Sequence, residues 1–498
     1  MPTIRNAHQM LQLLDLTEDA IRTIIGEWAK EVPDGAVGKP GDTNASLPPL
    51  PSRALFDARR TLIAATGKLT ELVADPSERL LEVSSQYNEA RSLHIAVSVR
   101  VHELLAKGGE AGVSIHDLSL ETGIEAQKLG RILRCLCSIH IFQEVRENVY
   151  ANNRISAALV GNEPLRAYIL MFAWDLYSAS DALPRTLLDP EFGPSYLVTQ
   201  TAFQKAVQTS KERWGWLEEE VTPAELANGG VGKYPGPFGQ EVQALAKVPG
   251  RDKVKRPEHT TFGLAMLGGG RITGVAHLYD FPWASLGEAT VVDVGGGVGG
   301  FCLQLSRLYP KLKYVVQDRG PVLEQAQREV WPAENPQAIN DQRVVFMEHN
   351  FFDTNPVEGA DVYWLRYILH DWSDDYCVQI LSALRKSMAS HSRVLICDQV
   401  MNTTVASEGE NPSPTNGEVN GHGHAINEIR PAPVPLPANY GYYTRYSHQR
   451  DITMMSIING IERTPAEFQR IIADAGLVMT RIYDCRSQVS LVECRLPE

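Results

Sequence analysis

The chain has 498 residues, more than one ordinary domain holds, which predicts two folded units with connecting segments. Its 43% hydrophobic and 21% charged residues are typical of a soluble globular protein, and no apolar run is long enough to span a membrane. The net charge of -13 argues against a nucleic-acid binder. Seven irregularly spaced cysteines and the absence of a secretory signal predict a reducing, cytoplasmic setting.

Residues 1–52 are predicted to form a helix and a linker. Apolar residues recur at helical spacing as far as Trp28, and a stretch rich in Pro, Gly and Asn follows. From Arg53 the apolar spacing is again helical, and we assign 53–180 to a second, mainly helical unit. Residues 181–285, also helical and rich in aromatic side chains, are predicted to connect it to the rest of the chain. Within them, GGVGKYPGPFGQEVQALAKVPGRDKVKRP is predicted to be a surface excursion.

The segment VSIHDLSLETGIEAQKLGRILRCLCSIHIFQEVRENVYANN predicts a helix, a turn at Gly123, a second helix and two short strands. This is the order of a winged helix-turn-helix, which serves either DNA recognition or subunit association. The second helix carries basic residues, but its leucines, such as Leu129 and Leu133, need burial. Together with the acidic overall charge, this favours association over DNA binding.

From residue 286 to the C-terminus, strands alternate with helices, which predicts an α/β fold with a doubly wound, mostly parallel sheet. Ligands of such sheets bind beyond the carboxyl ends of the strands. One polar segment, about 403–438, is rich in Pro, Gly, Asn and Ser and is predicted to be a disordered insertion. We interpret His422 and His424 within it as solvated loop residues and not as metal ligands.

The strand–turn–helix VVDVGGGVGGFCLQL predicts a nucleoside-binding turn. Gly295, Gly297 and Gly299 follow a buried strand and let the backbone approach a ligand where a Cβ would collide. Asp318 ends the next strand, where its carboxylate can accept hydrogen bonds from ribose hydroxyls. Because Gly300 also completes a dinucleotide fingerprint, the spacing alone fits NAD as well as S-adenosylmethionine.

A second motif, LRYILHDWSDD, places His370 at the carboxyl edge of the same sheet. Histidine titrates near neutrality and can take a proton from a phenol or an enol. A lone histidine is more often a satisfied loop residue, but its expected position beside the glycine turn favours a catalytic base.

Taken in order, VVDVGGGVGG, VVQDR, HNFF, LRYILHDWSDD, LICDQVM and NGIERTPAEFQRIIADAGL resemble the O-methyltransferase family of plant phenolic and fungal secondary-metabolite enzymes. The resemblance extends from about Arg60 to the C-terminus. It implies a Rossmann-like class I methyltransferase domain over 286–498, a winged-helix dimerisation domain before it, S-adenosylmethionine as cofactor and a homodimer. The pair of ILHDW and ERT motifs is more specific than the glycines and decides the cofactor.

The resemblance also implies roles for individual residues. His370 matches the catalytic base, and Asp398 and Glu462 match the two acidic positions that flank it. Plant members more often have Glu where this chain has Asp398. The predicted cofactor-binding residues are Asp293, Gly295, Gly297, Gly299, Asp318, Asn350, Phe351 and Arg366. The family usually has Asp at the position of Asn350 and Lys at that of Arg366.

The acceptor pocket is expected to come from the helical region and from DITMMSIINGIE, where thioethers and one amide suit an aromatic substrate. The candidate side chains, each of which core packing explains as well, are Phe172, Trp174, Trp214, Phe262, Met266, Asp371, Met454, Met455, Ile458 and Asn459. The implied reaction is transfer of a methyl group to a hydroxyl of a small aromatic or polyketide-like metabolite, with no metal.

Three alternatives remain at this level. A member of this fold can use bound S-adenosylmethionine as a fixed charge for a dehydration or pericyclic reaction. The winged helix can belong to a regulatory binding protein, and the glycine turn to an NAD oxidoreductase. The intact set of His370, Asp398 and Glu462 favours methyl transfer.

Overall fold

The computed structural model describes residues 4–30, 50–227, 234–245, 247, 252–273, 275–405 and 426–498. Residues 31–49, most of the predicted linker, lie outside this range. In the described part of the chain, no helix is both long and apolar enough to cross a membrane.

The N-terminal region is helical, as predicted. Ser52 begins the second helix by accepting a hydrogen bond from the backbone N–H of Leu55, and Asp75 caps the third helix in the same way. The helices are α1 (Ile4–Trp28), α2 (Arg53–Val73), α3 (Pro76–Ser85), α4 (Tyr87–Ser98) and α5 (Val101–Gly108). Apolar residues of α1 and α2, among them Ala20 and Leu55, are buried against each other.

The winged helix-turn-helix is confirmed. Gly123 has a φ of +74° and ends the first helix in the left-handed conformation that glycine adopts without strain. Leu129 and Leu133 are buried in a shared core, which confirms that this face of the second helix packs inward. The elements are β1 (Val113–Ser114), α6 (Ile115–Thr122), α7 (Ala126–Ser138), β2 (Phe142–Arg146) and β3 (Val149–Asn152), with sheet order β1-β3-β2.

The middle of the chain is mostly helical. Its elements are a 3-10 turn (Ser156–Leu159), α8 (Glu163–Ala173), α9 (Asp175–Leu187), α10 (Ala202–Val207), α11 (Arg213–Leu217), β4 (Glu220–Val221), α12 (Pro223–Ala227), α13 (Gln240–Leu245), β5 (Val254–Lys255), α14 (Pro257–Thr273) and 3-10 turns at Ala276–Leu278 and Trp283–Leu286. The predicted surface excursion is right only in part, because residues 243–245, 247 and 252–253 are exposed but others are buried. Tyr234 is buried and donates a 2.8 Å hydrogen bond to Glu258, and Val242 packs in a core cluster.

The C-terminal region alternates strands and helices, as predicted. Its elements are β6 (Thr290–Val294), α15 (Gly300–Leu308), β7 (Lys313–Asp318), α16 (Gly320–Gln325), a π turn (Ala326–Val330), α17 (Trp331–Glu334), α18 (Pro336–Asn340), β8 (Val344–Glu348), β9 (Val362–Arg366), a 3-10 turn (Leu369–Asp371), α19 (Asp374–Arg385), β10 (Arg393–Asp398), a 3-10 turn (Gly441–Thr444), α20 (Arg445–Ile458), α21 (Pro465–Asp474), β11 (Val478–Tyr483) and β12 (Ser490–Arg495).

The main sheet has seven strands in the order β11-β12-β10-β9-β6-β7-β8. Five neighbouring strands, β10, β9, β6, β7 and β8, pair in parallel, and β12 runs antiparallel to both β10 and β11. This confirms the doubly wound, mostly parallel fold. Because β6 lies between β7 and β9, the loops that follow these three strands meet at one edge of the sheet.

The predicted disordered insertion is too long at its C-terminal end. Residues 406–425, with His422 and His424, lie outside the described residues, but 426–438 pack against the protein. Ala432 and Leu436 are fully buried with Leu13 of α1, and Glu428 pairs with Arg481 of β11 at 2.6 Å. A few apolar residues are enough to order this segment, because helix α1 supplies the apolar surface on which they pack.

Candidate active site

The glycine turn after β6 is open on one side and crowded on the other. Gly295 has a φ of +71°, and a Cβ there would lie 2.6 Å from Cδ1 of Ile368. Gly297 has a φ of +59°, and apart from its chain neighbours no atom of the described residues lies within 4 Å of the place where its Cβ would be. Gly299 also needs positive φ, and a Cβ there would meet Trp331. The turn therefore presents open backbone at Gly297, as a close-fitting ligand requires.

The two acidic residues that were predicted to bind the cofactor lie in different surroundings. Asp318, at the end of β7, accepts 2.8 Å hydrogen bonds from the backbone N–H groups of Gly297 and Arg319, so its carboxylate lies beside the turn. Asp293 is buried beneath the turn and accepts a 3.3 Å hydrogen bond from the thiol of Cys302. Burial raises the pKa of Asp293 to about 6. The structure thus places Asp293 as a support of the turn.

The remaining predicted cofactor residues border the same edge. A ring carbon of Phe351 lies 3.7 Å from the position that a Cβ on Gly295 would take. Asn350 is exposed, and its side-chain oxygen accepts a hydrogen bond from the backbone of Phe352 at 3.3 Å. Arg366 ends β9, where its positive charge opposes the rise in the pKa of Asp293 that burial causes. The sequence-predicted cofactor set is therefore brought together in one place.

His370 lies in the 3-10 turn after β9 and is almost fully buried. Its Nδ1 lies 2.9 Å from Oε1 of Glu462, and its Nε2 lies 3.2 Å from Oδ1 of Asp371. Burial by itself lowers the pKa of His370, but the two carboxylates raise it by more, so the pKa lies above its ordinary value. Glu462 is also buried, which opposes ionisation, yet the neighbouring His370 and Arg450 hold its pKa below the usual range.

The ILHDW and ERT motifs occur together because residues of the ERT motif contact the turn that carries His370. Glu462 contacts the imidazole, and the next residue, Arg463, donates hydrogen bonds to the carbonyls of Leu369 and Trp372 at 2.8 and 2.7 Å. These carbonyls lie on either side of His370, so the hydrogen bonds of Arg463 hold the turn that carries it in place. Thr464 then begins α21 with a capping box.

Gly460 lets the two motifs approach. A Cβ at this position would lie 2.3 Å from the carbonyl oxygen of His370 and 3.2 Å from Cβ of Met454. The backbone N–H of Ile461 donates a 2.9 Å hydrogen bond to the same carbonyl. Glycine is required because any side chain would separate the histidine turn from the end of α20.

Asp398, predicted to orient His370, forms no hydrogen bond with the ring, although the charge of His370 opposes the rise in the pKa of Asp398 that burial causes. Its Oδ1 accepts a 3.0 Å hydrogen bond from the backbone N–H of Tyr367, and its buried Oδ2 has no hydrogen-bond partner among the described residues. Burial raises the pKa of Asp398 to about 6. The shorter aspartate at this position holds the backbone before the histidine, while Glu462 and Asp371 are the carboxylates that contact the ring.

Part of the predicted acceptor pocket forms a single apolar cluster in front of this turn. Met454 and Ile458 of α20 pack there with Phe172 of α8 and Phe262 of α14. Trp214 belongs to the same cluster and stacks on Trp372, with ring centroids 5.8 Å apart and an interplanar angle of 10°. An apolar wall of this kind is suited to a flat aromatic ligand.

Residues 258–415 match the O-methyltransferase domain, and residues 81–162 match the O-methyltransferase dimerisation domain. The O-methyltransferase tpcA of Aspergillus fumigatus is 56% identical over 99% of this chain and 97% of its own. The chain belongs to the O-methyltransferase family. This O-methyltransferase is therefore an enzyme that transfers the methyl group of S-adenosylmethionine to a hydroxyl group.

Two solved structures share the fold of this O-methyltransferase. One, titled "A Pericyclic Reaction enzyme", has a TM-score of 0.61 at 22% identity and covers 89% of this chain and 95% of its own. The other, CalO1, a methyltransferase in calicheamicin biosynthesis in its SAH-bound form, has a TM-score of 0.56 at 25% identity, with coverage of 85% and 100%. At 22% identity, the first likeness shows the fold alone and says nothing about the reaction.

Three acceptor candidates of this O-methyltransferase lie elsewhere. Trp174 is buried in a different cluster, with Val97 and Leu170, and Met266 is 43% exposed. Asn459 uses its side-chain amide to donate hydrogen bonds to the carbonyls of Ser195, Leu197 and Gln200 at 2.9 to 3.2 Å. These three residues are therefore packing, surface and loop-anchoring residues. Met455 is partly exposed beside the cluster.

Polar residues of the O-methyltransferase site were missed by the sequence analysis. Tyr446 and Arg450 precede Met454 on α20 at intervals of four residues and so share its helix face. Tyr446 donates a 3.5 Å hydrogen bond to Tyr168 of α8, and Arg450 pairs with Glu462 at 3.3 Å. Extending the face of Met454 towards the N-terminus of the helix would have found both.

Proposed function

We propose that this O-methyltransferase methylates a hydroxyl of a small aromatic or polyketide-like metabolite, with His370 as general base and without a metal. The observation that carries the proposal is the 2.9 Å contact between Nδ1 of His370 and Glu462 in a buried turn next to the glycine loop. Glu462 is hydrogen-bonded to Nδ1 at 2.9 Å, closer than Asp371 is to Nε2 at 3.2 Å, and this favours the proton on Nδ1. Nε2 is then the atom that accepts the proton of the acceptor hydroxyl.

The open backbone at Gly297, the carboxylate of Asp318 and the ring of Phe351 fit a nucleoside-type cofactor. We propose that these residues, with Gly295 and Arg366, hold S-adenosylmethionine. When bound, it supplies an electrophilic methyl group. The protein's own contribution is to hold the acceptor oxygen in line, to exclude water and to receive the proton.

Once protonated at Nε2, His370 is flanked by Glu462 and Asp371, at 2.9 and 3.2 Å, and both stabilise the imidazolium. Asp371 therefore acts in the reaction besides lining the pocket. Burial raises the pKa of Asp371, and the neighbouring His370 opposes this rise. We assign Asp398 to positioning, because it holds the backbone of Tyr367 in a left-handed conformation with a φ of +54°.

An aromatic acceptor is supported by the apolar cluster of Phe172, Phe262, Met454 and Ile458 and by the stacked Trp214 and Trp372. Polar groups are few there, as in most small-molecule pockets. They come from Tyr168 and Tyr446, whose hydroxyl groups lie 3.5 Å apart.

We also propose that the enzyme is a cytoplasmic homodimer that binds no nucleic acid. The match to a dimerisation domain supports the dimer, as do exposed apolar residues of α1 such as Leu11 and Ile25. All seven cysteines are free, which is typical of a reducing compartment. The net charge of -13 disfavours binding to a phosphate backbone.

The test is the His370→Ala variant. We expect kcat to fall about 10²- to 10⁴-fold, the usual contribution of a positioned base, while calorimetry with S-adenosylhomocysteine shows unchanged affinity. His391→Ala, which removes an exposed histidine, is the matched control and should behave as wild type. Full activity in His370→Ala removes the base assignment.

The wild-type pH profile checks the same assignment independently. The base works only when neutral, so activity should fall as the pH drops through the pKa of His370. Because that pKa is raised, we expect the acidic limb above pH 6.5. Among the described residues, no group of three or more His, Cys, Asp or Glu side chains could hold a metal ion. Turnover that survives exhaustive chelation supports metal independence, and a loss restored by a divalent metal contradicts it.

A further inference from the structure

Arg450 is a largely buried cation that contacts Glu462, the partner of His370. It lies on α20 one turn before Met454, and only 13% of its side chain is exposed. Its Nε lies 3.3 Å from Oε1 of Glu462, the same oxygen that lies 2.9 Å from Nδ1 of His370. One carboxylate oxygen therefore joins the base to a guanidinium.

A second route connects the same two residues. The guanidinium carbon of Arg450 lies 4.5 Å from the ring centroid of Tyr367, and that ring lies 5.3 Å from the ring of His370. Cation–ring contacts at this distance are attractive, more so when buried. His370, Glu462, Arg450 and Tyr367 thus form a closed set of contacts, and Arg450 is in position to orient both neighbours of the base.

The charges around His370 determine whether its imidazole is protonated, and so whether it can act as a base. Buried carboxylates around His370 favour its protonated form, in which it cannot accept a proton. Burial and the positive charge of Arg450 both work in the opposite direction and lower the pKa of His370. The other titratable groups that face this set are Tyr168, Arg213, Asp371, Asp398, Tyr446, Asp451 and Arg463. Asp451 accepts a 2.9 Å hydrogen bond from the backbone N–H of Glu462.

We propose that Arg450 is a positioning residue of the methyl-transfer reaction: it holds Glu462 ionised against Nδ1 of His370 and balances the buried carboxylates so that the imidazole is neutral at working pH. The proposal rests on His370 being the base. Arg450 acts through Glu462 and Tyr367, so its removal should affect turnover and its pH dependence more than cofactor binding.

The experiment compares Arg450→Gln, Arg450→Lys and Arg445→Gln in the full-length protein. Arg445 is the exposed first residue of the same helix and serves as the matched control. For each variant, kcat is measured against pH with a phenolic acceptor that the wild type methylates, and S-adenosylhomocysteine affinity is measured by calorimetry.

We expect the acidic limb of kcat to move up by about 1 pH unit in Arg450→Gln, because a nearby cation no longer opposes protonation of His370. Arg450→Lys should return the limb most of the way, and Arg445→Gln should not move it. Cofactor affinity should stay within about twofold of wild type, because in the described part of the chain Arg450 contacts Glu462 and Tyr367 and not the glycine turn.

An unmoved limb in Arg450→Gln overturns the proposal, even if kcat falls, since a merely structural role predicts loss of rate without a shift. A shift that lysine does not reverse also overturns it. If neither Arg450 variant folds, the residue serves packing and the proposal fails. If the wild type has no acidic limb, or His370→Ala is fully active, the failure lies in the base assignment itself.

Discussion

The cofactor half and the acceptor half of the site are built in different ways. The cofactor half comes from one stretch, Asp293 to Arg366, and uses the ends of four consecutive strands, with open backbone at Gly297. The acceptor half gathers side chains from α8, α11, the turn after β9, α20 and the ERT motif.

The halves also differ in how their polar groups are satisfied. Asp318 lies at the edge of the sheet and is held by backbone N–H groups. Around His370, several ionised side chains are buried together, and each depends on the others for compensation. Substitutions should therefore affect binding in the first half, but turnover and stability in the second. The predictions that follow test this difference.

The largest expected effect is on stability in the acceptor half. Arg463 is 1% exposed, pairs with Asp374 and donates hydrogen bonds to two carbonyls of the histidine turn. Arg463→Met therefore removes the donor to these two carbonyls and one of the two arginines that pair with Asp374. We expect the free energy of unfolding to fall by about 3–5 kcal/mol, measured by urea denaturation. Arg470→Met removes the exposed partner of the same Asp374, and we expect a much smaller loss, because an exposed ion pair contributes little to stability. Equal losses of unfolding free energy in both variants would contradict the assignment of Arg463 as the residue that holds the histidine turn.

A smaller effect is expected on binding in the cofactor half. Asp318→Ala removes a charged hydrogen-bond acceptor, and we expect S-adenosylhomocysteine to bind about 10- to 100-fold more weakly, with kcat at saturation little changed. Isothermal titration calorimetry measures the affinity. Asp341→Ala, at an exposed carboxylate, is the control and should bind as wild type. Unchanged affinity in Asp318→Ala rejects the ribose role.

The smallest effect distinguishes an anchoring residue from an acceptor-binding residue. Asn459 has a φ of +55° and holds three loop carbonyls, so Asn459→Ala should lower the free energy of unfolding by about 1–2 kcal/mol. Asn459→Gly keeps the backbone conformation without strain and should lose less. Thermal unfolding and acceptor KM are measured together. A raised KM for the acceptor with unchanged stability would show that Asn459 binds the acceptor and does not anchor the loop.

The sequence by itself determined the winged helix, the order of strands and helices in the catalytic domain, and the residues of the cofactor turn. These features depend on local signals: apolar periodicity, capping residues, and glycines that must adopt positive φ at Gly295 and Gly297. The family resemblance then supplied His370 and Glu462, whose contact the structure shows.

Only the tertiary structure decided which side chains meet between distant segments. Asp398 is hydrogen-bonded to the backbone of Tyr367, and Trp174 packs in a separate cluster. A position at the end of a strand or helix does not determine which of these neighbours a side chain reaches. Arg450 was missed because an arginine is usually solvated. Its helix face could be inferred from the spacing, but its 3.3 Å contact with Glu462, twelve residues on, could not. Buried charges need compensation in space, and that compensation comes from whichever segments the packing brings together.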